Sequence, residues 1–230
     1  YLILATKKGT VKKSRLKEYR NIRKGGLIAI TLKENDELID VRLTDGSKDI
    51  ILVTKNGMSI RFNETDARPL GRVSQGVRGI KLSEGDEVIG MGSFIENTSL
   101  LVVTENGFGK RTKLSEYKVQ KRGGKGVLTY RVTERTGRLV GTKLVCEDDD
   151  VMLINSDSTI IRIKAKDISL LGRATQGVTL MRMDVDIHLV SVARITNEMD
   201  DDEECEDDIN QGIDQIEGED IKQIETDGEH

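Results

Sequence analysis

The chain has 230 residues, with 36 Lys plus Arg against 40 Asp plus Glu and a formal net charge of -4. That sum hides a division: Asn197 to His230 carry 16 acidic residues and one basic residue, a charge of −15, so the preceding residues carry +11. No apolar run approaches the ~20 residues that span a bilayer, no basic-then-apolar leader opens the chain, and Cys146 and Cys205 lie too far apart for a Cys-x-x-Cys pair, which excludes transmembrane, secreted disulfide-framework and paired-thiolate metal classes.

The expectation is a soluble cytosolic protein with reduced thiols and no membrane partner. Aromatic residues make up 3%, Trp is absent, and 23 glycines accompany one proline, Pro69. This composition points to an all-β fold with many tight turns between short strands.

In chain order, the run Tyr1–Ala5 (YLILA) is strand-like from its first residue, as expected of a chain that begins inside a longer protein. It opens a hairpin, Leu2–Lys13 (LILATKKGTVKK), whose plan returns at Ile50–Arg61 (IILVTKNGMSIR), Leu100–Arg111 (LLVVTENGFGKR) and Val151–Arg162 (VMLINSDSTIIR). The turn residues Gly9, Gly57, Gly107 and Ser158 are spaced by 48, 50 and 51 residues. Asn56-Gly57 and Asn106-Gly107 tolerate the positive φ that a two-residue hairpin demands.

After each hairpin a second glycine opens another short apolar strand, at Gly26, Gly76, Gly126 and Gly177, and a last strand begins at Leu38, Val88, Leu139 and Leu189. Four short strands per ~50 residues is the size of one propeller blade, and such blades bury their faces on one another. The repeats run over approximately 1–48, 49–98, 99–149 and 150–196, followed by an acidic tail at 197–230 whose like charges favour disorder.

The basic residues share the period. Four places after the turn residue stand Lys13, Arg61, Arg111 and Arg162; fifteen places after it stand Arg72, Arg122 and Arg173, with Arg23 within a residue of the same site in the shorter first repeat. Equivalent positions of a propeller lie at equal radius, so phased cations predict a curved basic rim suited to the regular phosphates of duplex DNA. The bland alternative is a solvated surface, which two phased positions across four repeats disfavour. No aromatic residue is interleaved to stack bases and no helix is set to enter a major groove, so the expected binding has no sequence readout.

The loop Gln120-Lys121-Arg122-Gly123-Gly124-Lys125-Gly126 alternates cations with glycines, which would let the backbone approach a phosphate closely. It lacks P-loop spacing. His188 has no partner histidine in the repeats, and Glu147–Asp150 lacks the spacing of a calcium loop, so no metal site and no catalytic set is predicted.

These segments, with Gly9-Thr-Val-Lys-Lys, Gly76-Val-Arg-Gly-Ile-Lys-Leu, Gly109-Lys-Arg-Thr, Val132-Thr-Glu-Arg and Gly172-Arg-Ala-Thr-Gln-Gly-Val, make the chain resemble the C-terminal domain family of bacterial DNA gyrase A, part of a type II topoisomerase. The resemblance implies a β-pinwheel whose blades exchange strands, here about four blades of a six-bladed domain. It implies a non-catalytic module that wraps double-stranded DNA so that the enzyme introduces negative supercoils. The partners it implies are the N-terminal part of the same polypeptide and the gyrase B protein in a heterotetramer; the cleaving tyrosine, ATP and Mg belong to those parts, and no cofactor is expected in this chain. The implied location is the bacterial cytoplasm, at the nucleoid.

Two departures accompany the resemblance. Lys121 replaces the first arginine of the family's Gln-Arg-Arg-Gly-Gly-Lys-Gly box, and the box-like loop lies in the third of four repeats rather than the first of six, which implies the late blades and a secondary DNA-contact loop. The alternatives are the equivalent domain of topoisomerase IV and a protein-binding propeller. The tail, tethered at −15 to a +11 body, is expected to compete with DNA for the rim.

Overall fold

The computed structural model describes residues 1–22 and 24–196. The first repeat contributes β1 (Leu2–Thr6), β2 (Thr10–Ser14) and β3 (Leu38–Leu43), and the second β4 (Asp49–Thr54), β5 (Met58–Asn63), β6 (Val77–Arg78) and β7 (Val88–Ser93). The third contributes β8 (Ser99–Thr104), β9 (Phe108–Lys113), β10 (Val127–Leu128) and β11 (Leu139–Val145), and the fourth β12 (Asp150–Asn155), β13 (Ile160–Lys164), β14 (Val178–Thr179) and β15 (Leu189–Ile195). Single 3₁₀ turns at Leu16–Tyr19, Glu64–Asp66, Leu114–Glu116 and Ala165–Asp167 follow the second strand of each repeat.

The fold is an all-β propeller of four small antiparallel sheets, built as a pinwheel, because no repeat completes its own sheet. The sheet orders are β3-β1-β2-β6, β10-β5-β4-β7, β11-β8-β9-β14 and β13-β12-β15. The two-residue strands β6, β10 and β14 each cross to the preceding repeat, pairing Val77 with Val11, Val127 with Ser59 and Val178 with Gly109. Each crossing strand follows a glycine held at positive φ against its host. A methyl group on Gly126 (φ +76) would stand 2.1 Å from Ser59 O, a contact that only glycine avoids.

Strand exchange also explains where the four-strand expectation fails. The segment at Gly26 forms no strand: it would cross to a preceding sheet, and the first repeat has none in this chain. It is held instead through Thr31 N–H, which donates to Ser74 O at 3.2 Å.

Adjacent sheets meet through their last strands, β3 on β7, β7 on β11 and β11 on β15. That contact puts the last strands at the centre and the exchanged strands at the outer edge. Three apolar slabs lie between successive sheets. Ile3, Val11, Leu52, Ile60 and Phe62 fill the first, Val53, Val102, Tyr117 and Tyr130 the second, and Leu101, Val151, Leu153 and Ile168 the third. Each fully buried aliphatic side chain contributes about 1.5–3 kcal/mol, so each sheet is stable only with a neighbour on its face.

Candidate nucleic-acid interface

The four cations placed four residues after the turn lie on the outer strands β2, β5, β9 and β13, and the expectation of an exposed rim fails at three of them. Lys13 is 4% exposed; its Nζ lies 3.0 Å from Glu64 Oε2, donates to Gly46 O at 3.0 Å and sits 4.4 Å over the Tyr1 ring. Arg61 is nearly buried, donates to Asp49 Oδ2 through Nε (2.9 Å) and Nη2 (2.7 Å), reaches Tyr117 O at 3.1 Å, and stacks 3.8 Å from the Phe94 ring centroid. Arg111 is 3% exposed and donates to Ile168 O and Lys166 O.

The physical reason is strand exchange. Lys13, Arg61 and Arg111 bridge to Pro69, Val119 and Leu170 of the following repeat, so the next repeat covers these side chains and their charge serves to join blades. Arg162, in the sheet without an exchanged strand, is exposed and paired with Asp150.

The second series does lie in surface loops. Each loop leaves a 3₁₀ turn and leads into an exchanged strand, so it runs along the outer edge. Arg72, Arg122 and Arg173 are all half-buried. Arg72 Nη1 donates to Ile28 O at 3.0 Å, Arg122 Nε donates to Asp66 O at 3.2 Å, and Arg122 Nη1 donates to Arg78 O. Arg23 falls outside the described residues, as does the acidic tail.

In the box-like loop the glycines serve the chain's own packing. Gln120 N–H donates to Arg61 O, Gly123 N–H to Gly79 O, both at 2.7 Å, and Gly124 O accepts from Lys81 N–H at 2.8 Å. Lys121 and Lys125 remain exposed, beside the half-buried Arg122. The close backbone approach anticipated for a phosphate is thus made to β5 and to the segment Gly79–Lys81.

One phased set goes beyond the cations expected from the sequence. Five places after the second glycine stand Lys81, Arg131 and Arg182, all exposed. Their signal is a basic residue at a constant distance from Gly76, Gly126 and Gly177, one strand beyond the loops. Arg131 N–H donates to Thr175 O at 3.0 Å, just as Lys81 N–H donates to Gly124 O. Lys81 and Arg131 therefore each stand beside the loop of the next repeat.

The result is a set of stations along the outer edge. One gathers Arg78, Lys81, Lys121, Arg122 and Lys125; the next pairs Arg131 with Arg173. Among the described residues, none of these seven forms an ion pair within 4.0 Å. Clustered cations without carboxylate partners repel one another, and a polyanion relieves that repulsion while releasing its own counterions. The large aromatic residues Phe62, Tyr117 and Tyr130 are buried in the slabs, which leaves them unable to stack on bases.

Comparison with known proteins agrees in fold and sequence. A family profile described as DNA gyrase C-terminal domain, beta-propeller matches residues 1–45, 48–94, 98–146 and 149–197. The DNA gyrase A protein of Clostridium acetobutylicum is 58% identical over 207 residues, covering 90% of this chain and 25% of that protein. The DNA gyrase A protein of Staphylococcus epidermidis is 46% identical over 203 residues, covering 87% and 23%. The chain therefore spans about a quarter of the length of these relatives.

Among solved structures, the C-terminal domain of DNA topoisomerase IV superposes with a TM-score of 0.81 at 31% identity, covering 85% of this chain and 61% of that one. The DNA gyrase A C-terminal domain superposes with a TM-score of 0.77 at 32% identity, covering 85% and 66%.

Proposed function

Because the chain belongs to the family of DNA gyrase C-terminal β-propeller domains, we propose that its outer edge binds duplex DNA without reading sequence and wraps it, so that the gyrase of which it forms a part introduces negative supercoils during ATP-driven strand passage. The observation that carries this reading is the row of cations along the outer edge, Lys81 and Arg131 in phase with Arg122 and Arg173 in the loops beside them and Lys121 and Lys125 flanking Arg122, free of ion pairs among the described residues. A duplex following a curved row of cations must itself bend, and each neutralised phosphate contributes to a binding constant that falls steeply with salt.

The module has no chemistry of its own in this reading. Cleavage, religation and ATP hydrolysis with Mg fall to the N-terminal part of the same polypeptide and to the gyrase B protein, in the bacterial cytoplasm at the nucleoid. The domain's contribution is geometric: it presents a neighbouring duplex to the strand-passage gate with a constant handedness.

The test combines two measurements on the full chain: duplex affinity against salt, and the linking-number change on ligating a nicked circle with the protein bound. Salt-steep binding with a linking-number shift of one sign supports the reading; salt-insensitive binding without a shift replaces it with a protein-binding propeller. The close superposition on the topoisomerase IV domain favours a second reading, duplex binding in service of decatenation. Salt-steep binding that leaves linking number unchanged supports that one.

A further inference from the structure

Among the described residues two lysines are fully buried, and they occupy the same place in alternate repeats. Lys12 on β2 and Lys110 on β9 are both 0% exposed and stand three residues after their turn glycines. In the second repeat that position is Ile60, also 0% exposed, and in the fourth it is Ile161. An aliphatic side chain thus satisfies the packing, and an ammonium must bring something else to offset its desolvation.

Each ammonium takes carbonyl oxygen from the next repeat's outer loop, two from Gly172 and Arg173 for Lys110 and one from Arg72 for Lys12, whose other carbonyl partner, Ala29, belongs to its own repeat. Lys12 Nζ donates to Ala29 O at 2.6 Å and to Arg72 O. Lys110 Nζ donates to Gly172 O, to Arg173 O and to Thr175 Oγ1, the last at 3.0 Å. Two residues further on, hydroxyl groups finish the same attachment: Ser14 Oγ donates to Leu70 O at 3.0 Å and Thr112 Oγ1 to Leu171 O at 2.8 Å.

The loops so held share a sequence that the unclamped loop lacks. Leu70–Gly76 (LGRVSQG) and Leu171–Gly177 (LGRATQG) both read Leu-Gly-Arg-x-Ser/Thr-Gln-Gly, whereas the loop facing Ile60 is the glycine-rich Gln120–Gly126. One chain therefore contains two copies of a matched pair, Lys-Lys/Arg-Ser/Thr on the strand with Leu-Gly-Arg-x-Ser/Thr-Gln-Gly in the loop, and one site where both halves are replaced together.

The attachment also orients the loop. In a trans peptide the carbonyl and the N–H of the same unit point opposite ways. Drawing Gly172 O and Arg173 O inward onto Lys110 turns the N–H groups of Arg173 and Ala174 outward. The outward Arg173 N–H already meets an anion, Glu116 Oε2 at 3.2 Å. Successive outward N–H groups beside an arginine make a small anion-accepting concavity.

We propose that Lys12 and Lys110 are positioning residues that clamp the Arg72 and Arg173 loops, so that the arginine of each loop is set toward one phosphate of the duplex. The inference rests on the DNA-binding reading above for its ligand, but the clamp itself is a property of the free protein. The groups facing Lys110 are Glu116, Arg173 and the Tyr130 ring; those facing Lys12 are Arg72 and Glu18.

The test uses Lys110→Met in the full chain, since Ile60 shows that the site accepts an apolar side chain. Hydrogen–deuterium exchange of the free variant should speed up in Leu171–Gln176 and stay unchanged in Leu70–Gln75, with the thermal midpoint retained. On a fluorescein-labelled linear duplex, the salt slope should fall by about one phosphate, ~0.9 in log K per log salt. Adding Lys110→Met to Arg173→Ala should change that slope no further. Unchanged exchange in Leu171–Gln176 overturns the clamp whatever the DNA result, and additivity with Arg173→Ala overturns its role in placing the arginine. If the unaltered chain shows no salt-steep binding, the DNA reading fails while the exchange result still decides the clamp.

Discussion

Lys13 Nζ lies 3.0 Å from Glu64 Oε2, and the two side chains are 4% and 0% exposed. The pair joins β2 of the first repeat to the 3₁₀ turn of the second. Glu64 is the hub: it also accepts from Thr44 Oγ1 at 2.8 Å and from the N–H groups of Gly46 (3.1 Å) and Lys48 (2.8 Å). Glu64→Ala leaves the lysine ammonium buried without its counter-charge and strips three donors of their acceptor, a loss of about 3–5 kcal/mol. Urea unfolding should show that loss. The salt slope of duplex binding should not move, because Lys13 faces inward.

The exposed and buried cations should separate in the same way. Replacing Lys81, Arg131 and Arg182 together by Gln should lower the salt slope by roughly two to three, about 0.9 for each phosphate lost, with little change in stability. Arg111→Gln should do the reverse, lowering the urea midpoint with the slope retained. Slope changes of equal size in both variants would mean that the buried series contacts DNA after all.

Gly126 tests the strand exchange. Its φ of +76 and the backbone oxygen 2.1 Å from a built methyl group leave no room for a side chain. Gly126→Ala should detach the pairing of Val127 with Ser59 and Leu128 with Met58, costing upwards of about 1–3 kcal/mol. Gly71→Ala, where nothing lies within 4 Å, is the matched control and should be near neutral. Thermal unfolding of the two variants makes the comparison.

Lys110 gives the stability a distinctive pH dependence. Burial lowers its pKa from 10.5 to about 8, against a smaller opposing pull from Glu116. Between these values the unfolded chain binds the proton that the folded chain has released, so stability from this group rises with pH through that window and is lost as pH falls through about 8. Lys12 is lowered for the same reason and acts with the same sign. Tyr130, pushed up by burial to about 12, opposes them only above about pH 10. Urea unfolding between about pH 7.5 and 9.5 should therefore show a rising component that Lys110→Met flattens.

Much of the architecture was legible because it is written locally and repeated. Asn56-Gly57 and Asn106-Gly107 mark hairpins by backbone conformation alone, and the second glycines Gly76, Gly126 and Gly177 each mark a following strand. The site was legible only in part. Arg61 and Arg162 occupy equivalent places and each has an aspartate twelve residues before it, yet Arg61 is nearly buried and Arg162 is exposed. The difference comes from the next repeat, which covers β5 but has no counterpart over β13.

The four-fold period, the all-β character and the division into a basic body and an acidic tail are properties of the linear chain, since they follow from turn chemistry, spacing and a count of charges. Which phased cations reach solvent is a property of the assembled sheets. A side chain on an outer strand is covered or left free by a distant segment that crosses from the following repeat, and the desolvation of its charge is set by that segment rather than by its own neighbours in the chain.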